Sequence, residues 1–93
     1  MRKKIIATML TVDKDQVVCS LQRVCEKLDQ ADHDVIVDLS SVRRIDSAAI
    51  REMERLAVIA EGKSMKVTLS GVNVDIYKVL KLVRLTPRFS FLH

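Results

Sequence analysis

Three consecutive stretches decide the fold: DVIVDLS (Asp34–Ser40), SVRRID (Ser41–Asp46) and SAAIREMERLAVIAE (Ser47–Glu61). In the first, Val35, Val37 and Leu39 point one way and Ile36, Asp38 and Ser40 the other, the period-two alternation of a strand with one buried face. The second is short and polar. In the third the period changes to that of a helix, with Ala49, Met53, Leu56, Ala57 and Ala60 forming one apolar stripe. Gly62 follows as an expected helix stop. Strand, loop and helix therefore succeed one another without a linker.

The same alternation of elements continues outward. Upstream, KIIATML (Lys4–Leu10) is rich in β-branched residues, with Ile5, Ala7 and Met9 alternating against Ile6 and Thr8. Thr11 or Asp13 offers a cap for a helix over Lys14–Gln30, whose apolar positions are Val17, Val18, Leu21, Val24, Cys25 and Leu28. Downstream, Lys66–Val72 reads as a strand with Val67 and Leu69 inward. A third helix is expected over Val74–Leu85, with Val74, Tyr77, Val79, Leu80 and Val83 as its apolar face and Pro87 ending it. Phe89–Leu92 closes the pattern as a short edge strand. The order βαβαβα(β) implies an α/β fold with parallel strands joined by right-handed crossovers. Strands covered on both faces read as continuous apolar runs. These alternate, so the helices are expected mainly on one face of the sheet.

Ninety-three residues, 48% of them apolar and 30% charged, fit one globular domain spanning 1–93. Such a domain has little core to spare for an enclosed cavity. No apolar run reaches the length of a bilayer span. The N-terminal basic cluster followed by apolar residues imitates a secretory leader, but Thr8, Thr11 and Asp13 interrupt it and no small-residue cleavage site follows. The net charge of +4 raises the question of nucleic acid. Aromatics are only 3%, too few for a stacking platform, and the basic residues alternate with acidic ones. Cys19 and Cys25 lack C-x-x-C spacing and are expected as small core residues in a reducing, cytoplasmic setting.

The sequence offers little catalytic chemistry. His33 and His93 have no partners at metal-ligand spacing, so no metal site is expected. No phosphate-binding loop, dinucleotide fingerprint or nucleophile elbow is present, so neither cofactor nor enzymatic activity is expected. Asp32, His33 and Asp34 read as a solvated turn. One compact segment remains, Asp38 to Ile50, a strand end running through a polar loop into a helix start. Ligands and partners meet open α/β sheets at such carboxyl ends. Asp46 is placed to cap the helix and Ser47 lies in its first turn. Two readings stand side by side: an ordinary Asp-Ser cap, or a phosphorylatable hydroxyl. A phosphate on Ser47 would gain from the helix start, with Arg43 and Arg44 as counter-charges, and would alter any interface beside Asp46.

The run VDLSSVRRIDSAAI (Val37–Ile50) resembles the motif of STAS domains, the family of bacterial anti-sigma-factor antagonists. KVTLSGV (Lys66–Val72) and VLKLVRL (Val79–Leu85) are similar to that family's next strand and helix, so the resemblance covers roughly residues 5–92. It implies a non-enzymatic regulator of transcription that works by partner switching. The family serine after the motif aspartate, here Ser47, is phosphorylated by a kinase that is itself the anti-sigma factor, and a PP2C-type phosphatase reverses this. The partner surface it implies comprises Ser40, Ser41, Arg43, Arg44, Asp46, Ser47, Ala48 and Arg51. Ala48 and Ala49 stand where the family usually carries a glycine-containing continuation. The extra first strand with which many family members begin is missing here, and the family's last helix is truncated or absent.

A second branch competes. VTLSGVNVDIYKVLKL (Val67–Leu82) is similar to the small STAS subunit of the bacterial phospholipid-transport ABC complex, which binds the ATPase through the same loop and helix. A basic nucleic-acid binder is the remote third reading. An unpaired edge at Lys4–Leu10, together with an apolar patch of Ile6 and Ile36 alongside Thr8 and Thr68, points to a weak homodimer. Arg2, Lys3 and Lys4 would oppose it as charged gatekeepers of that edge.

Overall fold

The alternation at 34–40 becomes β2 (Asp34–Asp38), whose side chains are buried at Val35 and Val37 and half-buried between. The computed structural model describes residues 7–92. Around β2 stand β1 (Ala7–Thr11), α1 (Val17–Gln30), α2 (Ser47–Gly62), β3 (Val67–Ser70), α3 (Val74–Leu82), a 3-10 turn (Thr86–Arg88) and β4 (Ser90–Leu92). The strands form one parallel sheet in the order β1-β2-β3-β4, so each crossover returns the chain to the next strand along.

Register separates the two faces. Leu10, Val37, Leu69 and Phe91 lie in one row, facing the helices. Met9, Ile36, Thr68 and Ser90 form a row on the other face, which no helix among the described residues covers. The core under the helices joins Leu21, Leu28, Met53, Leu56, Ile76, Leu80 and Leu85 to the strand residues Val35, Val37 and Leu69. The helices are tied at their ends as well as through the core. Lys63 Nζ donates to the carbonyls of Leu28 (3.2 Å) and Asp29 (2.6 Å), placing a cation at the negative end of α1. Arg88 makes a two-pronged bond to the Glu61 carboxylate at 2.8 and 2.9 Å, which holds that carboxyl below its usual range. Among the described residues no helix is long and apolar enough to cross a membrane.

Six local expectations need correction. The phase of β1 is opposite to the one read from sequence: Thr8 pairs with Val35 on the core-facing row, and Met9, 54% exposed, pairs with Ile36 on the open face. The uncovered patch is therefore Met9 and Ile36, and Ile6 lies outside the described residues. α1 starts at Val17 behind Gln16, which makes no side-chain cap, because Asp13 spends its carboxylate on its own turn. Gly62 is the last helical residue of α2, and the left-handed turn is made by Ser64 at φ 54°. On α3 the buried side chains are Ile76 and Leu80, while Val74 and Tyr77 face outward. That helix also ends at Leu82, five residues before Pro87, where Arg84 takes φ 61° and the Leu85 N–H closes on the Leu80 carbonyl at 2.8 Å. Finally, Cys25 is buried against the Glu52 carbonyl, and burial pushes its thiol pKa up, but Cys19 is exposed.

Candidate functional site

The segment Asp38–Ile50 leaves the carboxyl end of β2, crosses the end of the sheet and enters α2. Ser40, Ser41, Arg43, Arg44, Asp46, Ser47, Ala48 and Arg51 are all exposed, while Val42 and Ala49 between them are buried. The two buried residues pin the segment down, and the polar ones are displayed. Ser47 is the first residue of α2, and Arg51 follows four residues later, one turn along the same helix face.

The display is rigidly built. At its start the Asp38 carboxylate accepts from the Ser40 N–H at 2.9 Å, and the Val42 N–H closes a turn on the Leu39 carbonyl at 3.0 Å. At its end the Asp46 carboxylate accepts from the Ala49 N–H at 2.8 Å, and the Asp46 carbonyl accepts from the Ile50 N–H at 2.9 Å. Asp46 is thus the helix cap the sequence suggested, with extended backbone at φ −99°. One helix-start donor is used by Asp46. The N–H groups of Ser47 and Ala48 belong to the same helix start and have no acceptor within the helix.

Two residues outside the segment shape it. Asn73 caps α3 by accepting from the Ile76 N–H at 2.8 Å. Its amide nitrogen donates at the same time to the carbonyls of Val42 (3.1 Å) and Arg43 (3.0 Å). One side chain therefore starts a helix and clamps the middle of the loop. Gly71, at φ +70°, lies directly beneath the loop: a Cβ there would stand 2.6 Å from the Ser40 Cβ. Both backbone shape and space require glycine. The signal was the G-x-N spacing in Gly71-Val72-Asn73, legible as a turn and a cap but not as a brace for residues 31 positions away.

An open groove flanks the site on the α1 side, lined by Lys14, Gln16, Val18 and Cys19 across from Arg44 and Ile45. Ser41 faces a neighbouring recess with Thr11 and Asp13. Loops after β1, β2 and β3 thus meet at one end of the sheet and form a broad polar surface without a deep cleft.

The opposite end carries a different arrangement. Thr8 Oγ1 lies 2.6 Å from His33 Nε2, and His33 Nδ1 lies 3.2 Å from the Asp32 carboxylate, which this contact holds below its usual pKa. The order hydroxyl, imidazole, carboxylate has the form of a catalytic triad, where sequence suggested only a turn. The Asp32 side chain is fully exposed, and Thr8 lines none of the principal recesses of the described residues. A triad needs a buried orienting carboxylate and a place for the substrate, so the contact reads as a polar tie between β1 and β2.

The family profile of the STAS domain matches residues 4–92. None of the curated proteins matches the chain in sequence. Among solved structures, the chain is similar to that of a "putative anti-sigma factor antagonist" from Thermotoga maritima, with a TM-score of 0.73 at 17% identity. The likeness covers 95% of this chain and 81% of the other, and at that identity it speaks for the fold.

Proposed function

The chain belongs to the STAS domain family, and from that premise we propose that it is a non-enzymatic regulatory protein of the anti-sigma-factor-antagonist kind. It binds an anti-sigma kinase through the surface around Asp38–Arg51 and is released when Ser47 is phosphorylated. The observation that carries the reading is the setting of Ser47: an exposed hydroxyl at the first position of α2, directly after a capping Asp46. A kinase can reach it without unfolding anything. A phosphate there would lie at the positive end of the helix, so the modified chain stays folded. The same phosphate adds about −1.5 to −2 charges beside Asp46 and changes the surface a partner meets. Arg43 and Arg44 stand close in sequence as counter-charges. A PP2C-type phosphatase would reverse the switch.

The test is to recover the partner from native lysate and compare three forms of the chain. Wild type and Ser47→Ala should bind a small ATP-dependent kinase. Ser47→Asp should bind it about tenfold or more weakly, equivalent to about 1.4 kcal/mol, with unchanged melting. Labelling by that kinase should vanish in Ser47→Ala; labelling that persists moves the site to Ser40 or Ser41. Equal affinity for Ser47→Asp would remove the switch. Co-purification of a transporter ATPase in place of a kinase would favour the accessory-subunit reading of the same surface.

A further inference from the structure

A second surface lies away from the loop site, on the outward side of α3 and the adjoining β4. Six large apolar side chains are left exposed among the described residues, and Val74, Tyr77, Leu82 and Leu92 are four of them. Val74, Lys78 and Leu82 follow at four-residue spacing, so they form one stripe directly opposite the buried Ile76 and Leu80. Leu82 is 82% exposed and Val74 68%. Tyr77 flanks the stripe, packs edge-on against Phe91 at 5.3 Å and shares a shallow groove with Leu92.

Charge is concentrated at the same place. Lys78, Lys81 and Arg84 surround Leu82, and none of them is in an ion pair among the described residues. Asp75 is the one acidic side chain between Val74 and Leu92. From Ala7 to Asn73, by contrast, acidic side chains outnumber basic ones. The corner thus joins four of the six exposed large apolar side chains to three cations without ion pairs among the described residues.

We infer that this corner of α3 is a peripheral docking surface for an anionic lipid bilayer, distinct from the loop site and independent of Ser47. Val74, Tyr77 and Leu82 lie on the outward side of one short helix and line only shallow, open recesses, which suits insertion among lipid chains better than reception of a partner's side chain. The cations nearest Leu82 are two lysines and an arginine with no fixed acceptor, able to follow mobile headgroup phosphates as point charges. Tyr77 supplies an aromatic side chain of the kind that sits at headgroup level. A single short helix gives reversible, salt-sensitive attachment and not anchoring.

Flotation of the full chain with vesicles tests this, using phosphatidylcholine alone and phosphatidylcholine mixed with anionic phosphatidylglycerol. Binding is expected only to the anionic vesicles at low salt, and to be lost near 0.5 M salt, where the screening length falls to about 4 Å. The double variant Lys78→Glu/Lys81→Glu should lower partitioning by about 25-fold or more, at about fivefold per lysine. Leu82→Ser should lower it about fivefold. The control Arg23→Glu/Lys27→Glu carries the same change in net charge on α1, and it should bind as wild type, as should Ser47→Asp. Circular dichroism and melting of each variant show that the fold is retained. Absence of phosphatidylglycerol-dependent binding overturns the inference. So does an equal loss in the Arg23/Lys27 control. Binding to soluble polyglutamate or to DNA that depends on Lys78 and Lys81, without binding to vesicles, would overturn it in favour of an acidic macromolecule.

Discussion

Two loops leave the same end of the sheet, and they are held in different ways. Past Val12, whose N–H extends the ladder to the Asp38 carbonyl, the loop after β1 is shaped by local bonds of Asp13: its carboxylate accepts from the Asp15 N–H, its carbonyl from the Gln16 N–H, and its own N–H donates to Ser20 Oγ. Every one of those partners lies within seven residues. The loop after β2 is gripped from another crossover, by Gly71 beneath Ser40 and by Asn73 across the Val42 and Arg43 carbonyls. Local bonds shape a turn. A brace from a separate element fixes its position against the rest of the molecule, which is what a surface presented to a partner requires.

The comparison is most severely tested at Gly71. Gly71→Ala places a Cβ at 2.6 Å from Ser40 in a left-handed conformation, and is expected to cost about 3 kcal/mol or more. In a chain of this size that lowers Tm by about 12 °C or more. A thermal melt like wild type would show that the loop yields and that the brace is not one.

Asn73 ranks second because its two functions can be separated. Asn73→Ala removes the cap and leaves two carbonyls without their donor, an expected loss of about 2 kcal/mol. Asn73→Asp keeps an acceptor for the Ile76 N–H but has no amide to offer. It should preserve slow exchange at Ile76 while exchange across Ser41–Ile45 quickens, measured by amide hydrogen exchange. Equal protection of both regions would sever the clamp from the loop's order.

Smaller effects follow. Asp46→Ala, which removes the α2 cap but leaves the brace, should cost about 1 kcal/mol by chemical denaturation. Ser20→Ala removes the acceptor for Asp13 in the unbraced loop, where water can replace it, and should cost about 0.5 kcal/mol. If Ser20→Ala proved worse than Asp46→Ala, the contrast between the loops would be reversed. The smallest effect lies outside both. The Glu61 carboxyl is held below its usual pKa by Arg88, so its contribution to stability is present above the ordinary glutamate range. It is lost as pH falls through the lowered value. Arg88→Gln should lower stability slightly at neutral pH and leave it unchanged at pH below the lowered value, so that the acid limb of the stability curve flattens.

Element order, parallel pairing and one-sided helix packing were legible because long alternations in β2, β3, α1 and α2 admit one phase each. The misreadings fall where two phases compete. In β1, Thr8 and Met9 are equally plausible inward, and only pairing with Val35 and Ile36 decides. On α3, Val74 with Tyr77 and Ile76 with Leu80 both have helical spacing, and the Asn73 cap together with the Leu85 turn chooses the second pair. At the site, the exposed residues and the Asp46 cap followed from local sequence. The double role of Asn73 did not, since a side chain's partners 30 and 31 residues away leave no periodic trace.

The brace also has a consequence for the order in which the chain is made. A ribosome emits Asp38–Ile50 well before Gly71 and Asn73 emerge, so the motif exists as sequence before anything can fix its form. Its Val42 and Arg43 carbonyls wait for a donor that arrives with the third crossover. A nascent chain halted short of Asn73 would carry every displayed residue of the site and still lack its shape. The fixed shape of the loop is thereby deferred until the chain has passed β3.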